Sequence, residues 1–216
     1  MHYKGGGGDK SQSSLLALVG KGTTFDSGGI SLKPPSKMSE MKADMGGGAI
    51  VSASLYGIAK LGLPINVVAL RENIMSSGHA IKPGDVVMAM NGKSIEVDNT
   101  DAEGRLILAD AIYYTSSTFK PHALIDMATL TGSMSIALGE VYSDVFTNSD
   151  VLWKQLSTSG KKTNDKFWRM PLEDAYQKGS IKSNVADLVN SDDRYGASNI
   201  AASFLKEFVN GLYRRT

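Results

Sequence analysis

The apolar residues of this chain fall into short blocks that alternate between two spacings. Leu15-Leu16-Ala17-Leu18-Val19 is a continuous apolar run closed by Gly20, the pattern of a strand buried on both faces. Further blocks predict strands at 65–70, 122–127 and around 142–147. Between them, apolar positions recur at helical spacing and predict helices near 48–61, 104–117, 150–159 and 198–209. Asn91-Gly92, between Val86-Val87-Met88-Ala89 and Ser94-Ile95-Glu96-Val97, predicts a hairpin, since both residues tolerate the positive φ of the tight turn. Strands and helices in alternation predict an α/β fold, a three-layer α/β/α arrangement with a mixed β-sheet covered by helices on both faces.

Composition narrows the class. A hydrophobic content of 42% over 216 residues is enough for one substantial core. Residues 1–14 are Gly/Ser-rich and are expected to be a flexible amino-terminal segment, with a single domain over 15–216. The absence of cysteine excludes a disulfide framework, and no Asn-x-Ser/Thr sequon occurs, so a reducing, cytoplasmic location is expected. No apolar stretch resembles a secretory signal or a membrane span, and no membrane partner is expected. A net charge of +1 gives no reason to expect nucleic acid as a partner.

The candidate chemistry lies in two blocks. The octapeptide Asn99-Thr100-Asp101-Ala102-Glu103-Gly104-Arg105-Leu106 packs two carboxylates and a guanidinium into five residues. The upstream block, Val19 to Lys33, carries Lys21, Asp26 and Lys33 among glycines and is followed by Met41, Asp44 and the glycines at 46–48. Lys21 and Asp26 follow the first buried strand, on the sheet edge where ligands bind in open α/β folds. Asp26, Asp44, Asp101 and Glu103 would balance the charge of two divalent cations, provided Lys21 binds as the free amine, which requires a depressed pKa. Oxygen-rich donors with one amine and no thiolate suit Zn²⁺, Mn²⁺, Mg²⁺ or Co²⁺.

Each residue also fits an ordinary structural role. Thr100-x-x-Glu103 fits a helix capping box ahead of the apolar positions from Leu106 onward. Asp26 before Ser27-Gly28-Gly29 fits a turn aspartate, and Lys33 before Pro34-Pro35 fits a solvated loop lysine. His2, His79 and His122 form no His-Glu-x-x-His arrangement, and Gly46-Gly47-Gly48 lacks the Lys-Ser/Thr of a phosphate-binding loop. The glycines instead predict close helix packing behind Asp44.

The joint spacing of the two blocks resembles the signature segments of the leucyl aminopeptidase family, the M17 or cytosol aminopeptidase family. The octapeptide matches that family's motif throughout, and Asp26, Lys33 and Asp44 follow Lys21 by five, twelve and twenty-three residues, as they do there. Asp126-Met127-Ala128-Thr129-Leu130-Thr131-Gly132 resembles a third family segment. The resemblance implies two divalent metal ions, Zn or Mn, with Asp26 and Glu103 bridging, Asp101 completing one coordination sphere, and Lys21 and Asp44 the other. It implies Lys33 and Arg105 as the catalytic pair, Lys33 at the oxyanion and Arg105 holding a bicarbonate that serves as general base. Met41, Thr129, Leu130 and Gly132 would surround the first side chain of peptide substrates with a free amino terminus, leucine-like residues preferred.

Two differences bear on activity. The family carries a domain ahead of the catalytic one and continues beyond the segment resembling Phe204-Leu205-Lys206-Glu207-Phe208-Val209, so this catalytic domain is expected to be incomplete at its carboxyl end, with a sheet edge uncovered. The homo-oligomer of the family, a hexamer, is then in question. The alternative to a working metallo-aminopeptidase is a catalytically inactive, truncated member with a structural or interaction role.

Overall fold

The computed structural model describes residues 1–6, 15–72, 80–176, 181–191 and 195–211. Strands β1 (His2–Lys4), β2 (Leu15–Lys21), β3 (Asn66–Glu72) and β6 (Ala123–Met127) form a central four-stranded sheet in the order β1-β3-β2-β6. The strands β3, β2 and β6 are parallel, with Val19 opposite Asp126 and Leu18 opposite Ala69, while β1 runs antiparallel to β3.

Alternation along β2 explains the layers. Leu18 faces one side and packs with Val67, Ala69 and the buried Val51 and Leu55 of α1 (Gly46–Lys60). Val19 faces the other and packs with Leu108, Ala109 and Ile112 of α2 (Glu103–Phe119). A strand with both faces covered needs a continuous apolar run, which 15–19 supplies. The second core extends outward to Ile200, Phe204 and Leu205 of the last helix, α5 (Ala197–Lys206). Removing a fully buried ring such as Phe204 typically costs about 3–5 kcal/mol.

The expected hairpin forms, as β4 (Asp85–Met88) against β5 (Ser94–Val97), with Gly92 at φ 86°. It belongs to a separate three-stranded sheet, in which β5 also pairs in parallel with β9 (Leu188–Val189). The strand expected near 142–147 forms as β7 (Ser143–Val145), but it pairs with β8 (Phe167–Arg169) rather than joining the main sheet. Helix α4 (Asp150–Thr163) is longer than expected, and α3 (Ser133–Leu138) had no clear sequence signal. Residues 2–4, inside the stretch expected to be flexible, are a paired strand; residues 7–14 lie outside the described residues. Among the described residues no helix is long and apolar enough to cross a membrane.

Candidate metal centre

The loop after β2, the start of α1 and the start of α2 converge at one end of the central sheet. Gly47 permits this, because a Cβ there would lie 1.9 Å from the Met127 carbonyl oxygen, so α1 seats its first turn directly on β6. Asp44 precedes that turn, as the close packing behind it predicted. The two sequence blocks are tied through Thr100, whose hydroxyl donates to the Gly28 carbonyl (2.6 Å) and accepts from the Ser31 amide (2.8 Å). The Thr100 amide in turn donates to the Ser31 hydroxyl (3.1 Å).

These bonds replace the capping box expected from Thr100 and Glu103. Helix α2 begins at Glu103 with no side-chain cap, since the Thr100 hydroxyl is committed to the other loop. The preceding 3-10 turn is capped by Asn99, whose side chain accepts from the Asp101 amide (2.9 Å). Asp26 does make the expected turn, its Oδ1 accepting from the Gly28 amide at 2.8 Å, and its Oδ2 remains available to face Lys33.

Lys21 Nζ lies 2.6 Å from Asp44 Oδ2 and 2.8 Å from Glu103 Oε1, with all three side chains buried. Lys33 Nζ lies 2.9 Å from Asp26 Oδ2 and also pairs with Asp101 Oδ1. Lys33 is therefore no solvated loop residue; its side chain is only 20% exposed. Ligand atoms of Asp26, Asp44 and Glu103 all fall within 4.8 Å of one another, and Asp101 stands beside them on the Lys33 side. Both sequence blocks thus meet in one cluster of four carboxylates and two ammonium groups.

Burial alone would lower the pKa of Lys21, but Glu103 and Asp44 outweigh it and hold the group above the ordinary lysine value. Lys33 is raised likewise, burial being outweighed by Asp101 and Asp26. Without a metal, Lys21 is thus an ammonium, not the free amine that metal ligation demands. Burial raises Asp101 against the opposing Lys33, and it raises Glu103 against Lys21. Arg105 is buried (9% exposed) and makes no ion pair among the described residues; burial lowers its pKa to about 10, with Glu103 opposing.

The donors fit a divalent cation. Asp44 Oδ2, Asp101 Oδ1 and Glu103 Oε1 are buried without a hydrogen-bond partner of good geometry among the described residues, leaving the lysines as their neighbours. Such oxygens are costly to bury unless a cation satisfies them. Hard carboxylate oxygens suit Mn²⁺ or Mg²⁺, and with an amine also Zn²⁺.

Among the expected substrate-side residues, Thr129 donates its hydroxyl to Asp44 Oδ1 at 2.7 Å, a role the sequence did not reveal. Leu130 packs against the α2 side of the core, and Met41 lies on the 3-10 turn that leads into Asp44. Gly132 is exposed, and a Cβ there would meet nothing within 4 Å. His2 packs edge-on against Phe119, away from the carboxylates, while His79 lies outside the described residues.

The chain is 51% identical to the cytosol aminopeptidase of Dictyostelium discoideum over 212 residues, covering 97% of this chain and 40% of that protein. It is 54% identical to the cytosol aminopeptidase of Xenopus tropicalis over 214 residues, with the same coverage. It therefore spans about two fifths of the length of these curated relatives. A solved structure titled "Bottromycin maturation enzyme BotP in complex with Mn" superposes with a TM-score of 0.86 at 39% identity, covering 93% of this chain and 45% of that one. The model of the catalytic domain of the cytosol aminopeptidase family matches residues 1–214, and the chain belongs to that family.

Proposed function

We propose that this chain is the catalytic part of a cytoplasmic, metal-dependent aminopeptidase that removes amino-terminal residues, leucine-like ones preferred, from peptides. The observation that carries the reading is the convergence of the buried Asp26, Asp44 and Glu103 and the partly exposed Asp101 on two lysines, with three carboxylate oxygens lacking a hydrogen bond among the described residues and the buried Arg105 in the electrostatic reach of Glu103. Asp26, Asp44, Asp101, Glu103 and Lys21 would hold two divalent ions, Zn or Mn. When bound, such ions lower the pKa of a water near neutrality and polarise the scissile carbonyl.

The chain's own residues do the rest. Lys21 must release its proton to act as a ligand, so its ammonium holds the carboxylates together until a metal arrives. Lys33, freed from Asp26 and Asp101, donates to the oxygen that becomes negative in the tetrahedral intermediate; one such donor is typically worth about 2.7–4 kcal/mol. Arg105 offers a desolvated cation to a small anion such as bicarbonate, which can take a proton from the attacking water. Met41, Thr129, Leu130 and Gly132 border the substrate's first side chain, the open space at Gly132 admitting it.

Hydrolysis of leucine p-nitroanilide by the purified chain supplied with Mn²⁺ or Zn²⁺ tests this. Turnover that disappears with chelator and in Asp101→Ala supports it. No turnover from a folded, metal-loaded chain contradicts it and favours a family member without catalysis.

A further inference from the structure

Asn190 is completely buried, follows directly on β9 and lies 89 residues from Asp101 in sequence, yet its side chain touches the backbone that carries the carboxylates. Its own amide donates to the Glu96 carbonyl (2.9 Å), which extends the β5–β9 pairing by one step and fixes its Cα on that sheet. From there Oδ1 accepts from the amides of Asp98 (3.0 Å) and Asn99 (3.2 Å). Nδ2 donates to the carbonyls of Asn99 (2.7 Å) and Ala102 (3.4 Å). Every hydrogen-bonding site of the carboxamide that points at the turn is used, and no other side chain of this size offers two acceptor and two donor directions in one plane.

The bracketed segment is the 3-10 turn that presents Asp101 and leads into Glu103. Its other ties, Asn99 to the Asp101 amide and Thr100 to Gly28 and Ser31, join it to itself and to the neighbouring loop. Among the described residues, Asn190 is the side chain that ties it to the β5–β9 sheet.

We propose that Asn190 is a positioning residue for the metal centre, clamping the Asp98–Ala102 turn so that Asp101 and Glu103 present their oxygens at fixed places. The proposal rests on the metal-binding reading above and extends it to a residue that touches neither metal nor substrate. Groups that orient ligands from behind are typically worth 10- to 100-fold in metal affinity. Asp44 and Lys21 are held from other elements, so the loss falls unevenly on the two sites.

The test is Mn²⁺ binding by calorimetry to the full chain, with metal-free amide exchange of Asp98 and Asn99 followed by NMR. Asn190→Ala should weaken one Mn²⁺ site at least tenfold and the other by a smaller factor, and should speed exchange of both amides. Asn190→Ser, which keeps one acceptor, should lie between. Ile200→Ala, a core truncation in α5 that removes no hydrogen bond of the turn, controls for lost stability and should leave both Mn²⁺ affinities within about twofold. Equal weakening in Ile200→Ala, or two unaltered sites in both Asn190 variants, overturns the proposal. A parent chain that binds no Mn²⁺ overturns the metal reading, and the proposal with it. If Asn190→Ala does not fold, Asn190→Ser and the amide exchange of the parent decide: fast exchange at Asp98 and Asn99 in the folded parent contradicts the clamp.

Discussion

Lys21 lies across the first turn of α2 at Gly104, where a Cβ would come within 2.7 Å of Nζ and 2.8 Å of Cε. The glycine of the octapeptide is thus required by the lysine of the other block. Gly104→Ala should favour the helix by its propensity, yet push Lys21 out of line with Asp44 and Glu103. The expected outcome is a chain of near-unchanged thermal stability whose Mn²⁺ affinity falls at least tenfold. Calorimetry alongside a thermal melt checks it.

The Arg105 guanidinium is buried with no ion pair among the described residues, a burden on the fold. Burial lowers its pKa to about 10, which corresponds to about 3 kcal/mol against the charged folded form at neutral pH. Arg105→Met keeps the volume and removes the charge, so it should raise the unfolding free energy by up to that amount. Leucine p-nitroanilide turnover should fall by at least a hundredfold in the same variant. Loss of stability in Arg105→Met would show instead that the arginine is satisfied in the fold.

Thr129 tests how far the third segment serves the metal as well as the substrate. Its hydroxyl bond to Asp44 is a hydrogen bond to a charged group, typically worth about 1.5–3 kcal/mol. Thr129→Val preserves shape and should weaken metal binding by roughly 10- to 100-fold. Thr129→Ser should restore most of it. A change in substrate preference with unaltered metal affinity would assign Thr129 to the pocket alone.

The fold was legible where burial dictates composition. Residues 15–19 are apolar throughout because α1 and α2 cover both faces, and a strand covered on one face only would have alternated instead. β8 and β9 left no such mark: they are two or three residues long and exist through their pairing with β7 and β5. Thr100 illustrates a local signal overruled by a distant contact, since a capping box is a statement about neighbours and its hydroxyl found Gly28 and Ser31 instead. Lys21, Asp26, Lys33, Asp44, Asp101 and Glu103, which the structure brings together, stand in the two blocks that spacing singled out. Asn190 was not legible, because nothing within its own segment marks an asparagine that acts on residues some ninety positions away.

The second sheet carries a pH-dependent tie. Asp187 Oδ2 accepts from the amide (2.8 Å) and hydroxyl (2.7 Å) of Ser94, and these bonds hold its carboxyl below the ordinary aspartate range. A depressed folded pKa contributes stability above the unfolded value, near pH 4, that is lost as pH falls through the folded one. The difference in melting temperature between the parent and Asp187→Asn should therefore be present at pH 6 and shrink at pH 3. Melts at the two pH values measure it; a difference that grows at pH 3 would reverse the sign.

Every proposed step depends on these carboxylates and Lys21 holding two divalent ions. Counting Mn²⁺ bound per chain by equilibrium dialysis, in the parent and in the double variant Asp26→Asn/Glu103→Gln, tests this most directly. Two ions per parent chain, with both lost in the double variant, are expected. No bound ion in the folded parent, or two ions retained by the variant, would contradict a dinuclear centre at these residues.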